Sequence, residues 1–470
     1  MSGLVSSLNQ AVRSLQAQSR GVEIAGRNLA NVNNPDYARQ RVLFGERGTV
    51  VTAQGAQSLG IEAKSVQQIR DELLDRQLAR ELGRASSLQA ESDAYAKGEA
   101  LLGESIDRTQ SADEVAASGQ GLSAVLTEFF NAFQAFAARP TDLGERQNLL
   151  QRADILGERF RVTDERLDQL QQDIGAQIDV DIDDANRLLS TIADLNAQIG
   201  RFEINAPGSA VDLRDQRQAA VEKLAGLVGA ETRASAGAPG QIDVFVRDAS
   251  GSPLVLVDRA SVLSPVSTDG AQLLVGATPV ALAGGSIQGR FTARDGAIQT
   301  LRDRIDAFAS QLAVSVNAAY DPTGATGDFF IHDPAAPAAG LRLVPGLTAS
   351  TLKASDGGSA GDNTLALAVS ALASKKFSTA AGDLVDGTFA QFYGGVVSDF
   401  GRSVSSAEGR LADQENIEAL VRQQRQAVSG VSLDEEMTDL MKYQRAFQAS
   451  SRVITVIDEL LNTVVNGLVR

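Results

Sequence analysis

Few residues of this 470-residue chain could carry chemistry, and their surroundings argue against each. Ser359 sits between Gly357 and Gly361 in GGSAG, the G-x-S-x-G spacing of a serine nucleophile. Such an elbow needs a strand before it and a histidine base that follows the serine. The single histidine, His332, lies upstream beside Pro334 and reads as a loop residue, so GGSAG reads as a flexible glycine loop. The run DVDIDD at 179–184 has the acidity of a calcium loop, but position six is Asp184 where Gly belongs, and position twelve is Ser190 where Glu belongs. No Gly-Lys pair occurs, which removes a phosphate-binding P-loop. No cysteine occurs, which removes disulfides and thiolate sites. The 59 acidic residues single out no catalytic pair. No catalytic, cofactor-binding or metal-binding residue is expected.

Charge and composition narrow the classes further. A net charge of −16 repels phosphate backbones, so nucleic acid is not an expected partner. No run of eighteen apolar residues is present, so no membrane-spanning helix is expected. The first residues, MSGLVSSLNQAVRSLQAQ, lack a basic segment and a continuous apolar core, so no cleavable secretory signal is expected. Aromatic residues make up 5% and tryptophan is absent. The interior must then be built mainly from Leu, Val, Ile and Ala, as in helical bundles.

The clearest pattern lies at the two ends. Leu4, Leu8, Ala11, Leu15, Gln18, Val22, Ala25, Leu29 and Val32 alternate steps of four and three, the a/d seam of a coiled coil. Leu440, Tyr443, Phe447, Ser450, Ile454, Ile457, Leu461, Val464 and Leu468 repeat that rhythm. The second seam opens on SLDE at 432–435, which reads as a capping box with acidic residues at the positive end of the helix dipole. Two such seams most simply bury each other. Ordinary core helices closing one domain fit the same pattern, but a lone pair leaves apolar surface wet, and further copies would cover it.

Between the ends the pattern is helical from 69 to about 230. Phe129, Phe130, Phe133 and Phe136 lie close to one face, and a third seam runs through Ile174, Ile178, Asp181, Ala185, Leu188, Ile192, Leu195 and Ile199. QIDVFV and SGSPLVLV then alternate as strands do. The fold class is therefore mainly α with a β-rich insertion: terminal helices paired as a coiled coil, a long helical-bundle body and a small outer β domain. The expected boundaries are 1–40 with 430–470 for the terminal pair, and 41–235 for the first part of the helical body. The β-rich domain follows at 236–290, a returning helix at 291–320, a loop- and β-rich patch at 321–361, and the last part of the body at 362–429.

The N-terminal seam stops at NLANVNNPDYARQ, residues 28–40, where Pro35 disfavours helical backbone at Asn34. This stretch resembles the N-terminal signature of the bacterial flagellar rod, hook and junction axial proteins, N-x-A-N-x-x-T-x-G-Y. Asn28, Ala30, Asn31 and Tyr37 match, while Asn34 and Asp36 replace the threonine and glycine with other turn-forming residues. RPTDLGERQNLLQRADILGERF, IADLNAQIGRFE and SGVSLDEEMTDLMKYQRAFQASSRVITVIDELLNTVV are similar to blocks of the hook–filament junction members of that family. The resemblance covers both ends and most of the helical body, and is weak over the β-rich insertion.

It implies a secreted, extracellular structural subunit at the hook–filament junction, with no enzyme activity and no cofactor. Export would use the flagellar type III system, and assembly would give a ring of identical subunits. The implied partners are the hook protein, the next junction protein and an export chaperone at the C-terminal helix. The expected assembly contacts are Leu4, Leu8, Leu15, Val22, Leu29, Tyr37 and Arg39, with Leu440, Tyr443, Phe447, Ile454, Ile457, Leu461, Val464 and Leu468. A hook or distal-rod subunit shares the terminal signatures, but turns to strands soon after the motif. An exported enzyme with flagellar-type ends would need a catalytic set in the β-rich insertion.

Overall fold

The computed structural model describes residues 2–52, 55–102, 121–324, 327–357, 359 and 361–468. The first seam forms helix α1 (Ser2–Ala30), about 43 Å long at ~1.5 Å per residue. After the asparagine motif the chain turns to strands. β1 (Gln40–Glu46) pairs antiparallel with β4 (Ile61–Gln68), placing Gln40 opposite Gln68. Between them β2 (Thr49–Thr52) and β3 (Gly55–Ser58) form a second antiparallel pair. Residues 41–68 therefore correct the sequence reading, which placed them in the helical body. TVVT is β-branched, and Gly48, Gly55 and Gly60 adopt positive φ at the chain reversals, where a helix cannot continue.

The chain folds as two compact units. The first comprises 1–86, 182–285 and 414–470. It holds α1, the strands just described and the start of α2 (Glu72–Leu102). The end of α4 (Leu143–Phe202) and all of α5 (Val211–Val228) follow. A four-stranded antiparallel sheet then runs in order β5-β6-β7-β8, from β5 (Glu231–Ala234) and β6 (Ile242–Arg247) to β7 (Pro253–Asp258) and β8 (Ser261–Val262). A three-stranded sheet of β9 (Val266–Thr268), β10 (Leu273–Val275) and β11 (Thr278–Pro279) completes the β-rich region. Val244, Leu256, Val257 and Leu273 are its buried core.

Asparagines on α4 hold these strands in place. Asn186 donates to Val266 O and accepts from Val266 N–H, both at 2.9 Å. Asn196 treats Ile242 in the same way, at 2.8 and 3.3 Å. A carboxamide used so satisfies one residue's N–H and C=O together, as a neighbouring strand would. The third seam is built into α4: Ile178, Ala185, Ile192 and Ile199 are buried, while Leu188 is half-buried and Leu189 takes the inward position beside it.

The second unit comprises 87–181 and 286–413. It contains α3 (Gly121–Ala138), α6 (Ser286–Ala293), α7 (Gln299–Tyr320), α8 (Thr364–Ala371) and most of α9 (Phe389–Ser429). Its core is aromatic. Phe129 packs edge-on against Phe133 at 5.1 Å between ring centroids, and Phe160 against Phe308 at 5.2 Å. Asn317 pairs with both backbone groups of Phe330, at 2.7 and 2.8 Å, repeating the arrangement on α4. Residues 372–388, expected within the helical body, form turns and one short 3-10 segment, because Gly382 and Gly387 take positive φ and Asp383 and Asp386 bond to the backbone N–H groups of Ser378 and Thr379. DVDIDD lies inside α4, where Asp181 accepts from Ser286 and pairs with Arg290. Ser359 lies in a non-helical stretch, and Gly358 and Ala360 beside it fall outside the described residues. No described helix is long and apolar enough to cross a membrane.

One close approach in the first unit tests this packing. Gly285 has φ of +98°, and a Cβ there would sit 2.3 Å from Leu227 O, while its N–H donates to Gly83 O at 2.6 Å. Gly285→Ala should therefore destabilise the first unit by about 3 kcal/mol, combining left-handed strain of ~1–2 with overpacking of ~1–3. Urea unfolding of the full chain checks this; an unchanged midpoint would mean that the backbones can part freely.

Candidate functional site

The terminal helices meet in an antiparallel pair. α10 (Leu433–Leu468) begins where the sequence places it, one residue after Ser432. Glu435 does not close a capping box, however; its carboxylate accepts from Arg39 at 2.6 Å. Along the pair, Ser14 and Ser450 share a hydroxyl contact at 3.2 Å, Gly21 lies under the ring of Tyr443, and Asn28 donates to Glu436 at 3.0 Å. These contacts step by seven residues on both helices in opposite directions, which defines one antiparallel heptad register. A Cβ at Gly21 would stand 2.8 Å from the Tyr443 ring. The glycine's cost to helix propensity is thus exchanged for close approach.

Small and polar residues occupy the inner line of α1. Ala11, Ala17, Gly21, Ile24, Ala25 and Asn28 are buried, whereas Leu4, Leu8, Leu15, Val22 and Leu29 are half-buried beside them. On α10, Leu440, Tyr443, Ile454 and Leu461 are half-buried and Ile457 is 6% exposed. Phe447 and Val464 point outward, and the side chain of Leu468 lies outside the described residues. Period alone located the helices but not the stripe within one residue, because it favours large apolar residues over the small ones that permit contact. It also passed over Val453, Val456 and Leu460. These form a second, outward apolar line at spacings of three and four, and Val456 is 54% exposed.

The joint at the base of the pair is polar and buried. Asn28, 1% exposed, donates to Gln40 O at 2.8 Å and accepts from Gln40 N–H at 3.0 Å. Its oxygen also accepts from the Tyr37 hydroxyl at 2.7 Å. Glu436, 2% exposed, receives Asn28 and the Arg39 Nε, the latter at 2.6 Å. The Arg39 N–H reaches Ser429 O at 2.9 Å, so β1 is tied to the corner between α9 and α10. The turn itself is an Asx turn, with Asp36 N–H on Asn34 Oδ1 at 3.1 Å. Burial opposes the charge of Arg39, yet Glu436 and Glu435 hold its pKa above the ordinary value. Burial, with the nearby Asp215 charge, pushes the Tyr37 hydroxyl far up, so it stays a donor. Tyr37 and Arg39, expected as contacts between subunits, are thus engaged within the chain.

Comparison with known proteins agrees with this architecture. The model of the flagellar hook-associated protein FlgK helical domain matches residues 109–330. That of the flagellar basal body rod FlgEFG protein C-terminal region matches 422–468, the stretch that includes the corner and α10. Flagellar hook-associated protein 1 of Bacillus subtilis is 26% identical over 98% of this chain and 98% of its own length. Its counterpart in Salmonella typhimurium is 24% identical, over 98% and 99%. Over almost its whole length the chain is similar to the flagellar hook-associated protein 1 family. The flagellar hook junction protein FlgK of Burkholderia pseudomallei has the same fold, with a TM-score of 0.62 at 16% identity over 75% of this chain and all of that one. Members of this family are structural flagellar proteins, and this chain is a structural flagellar subunit.

Two measurements probe the joint. Asn28→Ala orphans the buried N–H of Gln40 and leaves Glu436 with one partner fewer, at about 1–3 kcal/mol per orphaned group. Exchange of the Gln40 amide hydrogen should then quicken at least about tenfold, and unchanged exchange would show that the bonds are dispensable. The second concerns Asp215, whose carboxyl is pushed by burial from the ordinary 3.8 up to about 6 despite the Arg70 guanidinium beside it. A carboxyl raised in the folded state favours folding when protonated, so its contribution is present below pH ~4 and lost as pH rises through about 6. Asp215→Asn should flatten the fall in stability between those values, measured as the urea midpoint against pH.

Proposed function

We propose that this chain is the subunit that joins hook to filament, assembling through the outward faces of its terminal helices. The observation that carries this reading is the wet second line on α10, Val453, Val456 and Leu460, beside a first line that the pair covers only in part. Val5 and Val12 continue exposed apolar surface on α1. Contiguous apolar surface of this kind marks a protein–protein contact. Neighbouring copies would cover it, with the half-buried Leu4, Leu8, Leu15, Val22 and Leu29 and the outward Phe447 and Val464 as the flanks of that contact.

In this reading the terminal pairs of neighbouring subunits line an inner tube. The subunits close as a ring between the hook protein and the next junction protein, outside the cell. The chain travels there through the flagellar type III system, and a chaperone covers α10 before export. The protein acts by geometry and has no enzymatic role. A hook or distal-rod subunit would be favoured by the rod-type C-terminal match and by the strands at 40–68, but the helices Glu72–Leu102, Gly121–Ala138, Leu143–Phe202 and Val211–Val228 favour the junction.

Variants separate the two faces of α10. Val456→Asp with Leu460→Asp should leave the circular dichroism of the purified chain unchanged, yet yield cells with hooks, no filaments and flagellin in the medium. Ile457→Asp should lose both helicity and filaments, since it places a charge inside the pair. A deletion strain that lacks hooks altogether would assign the chain to the hook or rod instead, and normal filaments in the double variant would refute assembly through this face.

A further inference from the structure

A cavity of ≈ 490 Å³ in the first unit is lined by no residue of the terminal helices and has no part in the assembly just described. The end of β4, the first turns of α2, the N-terminal half of α5 and the edge strand β5 frame it. Five arginines line it: Arg70, Arg76, Arg214, Arg217 and Arg233. Three already have carboxylates. Arg214 is held by Glu203, Arg233 by Asp243, and Arg70 by Asp75 and Asp215. The other two have none among the described residues. Arg76 donates only to the backbone oxygen of Glu72, at 3.1 Å.

Arg217 is the decisive residue. It is 8% exposed, and its hydrogen bonds go to neutral acceptors, Asn196 Oδ1 at 2.8 Å and Gly240 O at 2.6 Å. Glu203 and Glu72 act on it only from beyond ion-pair distance, and a buried cation without a directly paired carboxylate is expensive to maintain. Burial, followed by the nearby Arg214 charge, lowers its pKa from the ordinary 12.5 to about 10. The acidic side chains lining the cavity are Asp75, committed to Arg70, and Glu72, which is exposed.

We propose that this cavity binds a compact oxyanion of the phosphate class, with Arg217 at depth and Arg76 nearer the surface. Guanidinium groups match phosphate oxygens in paired, charge-assisted hydrogen bonds. No aromatic side chain is among the lining residues, so the cavity offers no stacking platform for a nucleobase, and the glutamines Gln67, Gln218 and Gln241 supply polar walls. The depth of Arg217 favours a small ion over a side chain delivered by another protein. A bound ion would bridge α2, α5 and β5, and so fasten the β-rich region to the helices of its own unit.

Calorimetric titration of the full chain with inorganic phosphate and pyrophosphate, at constant ionic strength, tests this. Saturable one-to-one binding is expected, weakened at least about tenfold in Arg217→Gln. Arg402→Gln, an exposed arginine outside the cavity, should bind as the parent chain does. If Arg217→Gln fails to fold, Arg76→Gln serves in its place and should weaken binding with an unchanged melting temperature. Heat that follows ionic strength without saturating, or equal binding by the folded cavity variant and its parent, overturns the proposal. So does a chain that binds no phosphate but whose Arg217→Gln form, folded, fails to build filaments, because a partner's carboxylate would then be the occupant.

Discussion

A side-chain amide that stands in for a β-strand holds this structure together. Asn28 meets the N–H and C=O of Gln40 at once, and Asn186, Asn196 and Asn317 do the same for Val266, Ile242 and Phe330. A mainly helical protein carrying short strands faces a particular difficulty. The edges of those strands bear backbone groups that the next helix cannot satisfy, since its own are engaged internally. A helical asparagine solves this one residue at a time. At Asn28 the same amide also reaches Tyr37 and Glu436, so a local strand anchor becomes the joint on which the terminal pair stands.

The polarity of that joint contrasts with the pair above it. Buried carboxylates and guanidiniums are costly unless their geometry is satisfied, but they define a single arrangement. Glu436 can accept from Asn28 and Arg39 together only when α10 begins at its observed height along α1. The heptad step at which Ser14, Gly21 and Asn28 recur leaves more than one register open by spacing alone, although only Gly21 gives room for the Tyr443 ring. The polar base removes this freedom. Register is set below, and apolar area is buried above.

Much of this was legible in the sequence. The seams, their partnership, the shared face of Phe129, Phe130, Phe133 and Phe136 and the β-rich insertion all follow from period and composition. Three features did not. The strands at 40–68 are short and interrupted by glycine, so they lack the length at which alternation outweighs helical expectation. The buried line of α1 shares Ala11 and Ala25 with the expected seam but elsewhere sits one residue from it, because contact distance at Gly21 is set by the absence of a side chain, which no hydrophobic pattern scores. The asparagine motif was visible as a turn, but Asn28 was invisible as its keystone: its partner Glu436 lies 408 residues away, and a lone acid in DEE carries no mark of burial.

That separation has a consequence for timing. The first unit is assembled from the beginning, the middle and the end of the chain, and the second is made entirely of segments between them. A growing or threading chain can therefore complete the second unit while α1 has no partner. The joint closes only when α10 arrives, so a chain interrupted anywhere before Leu433 never acquires it. The fold thus contains its own check on synthesis: only a chain that has reached α10 can present the paired helices.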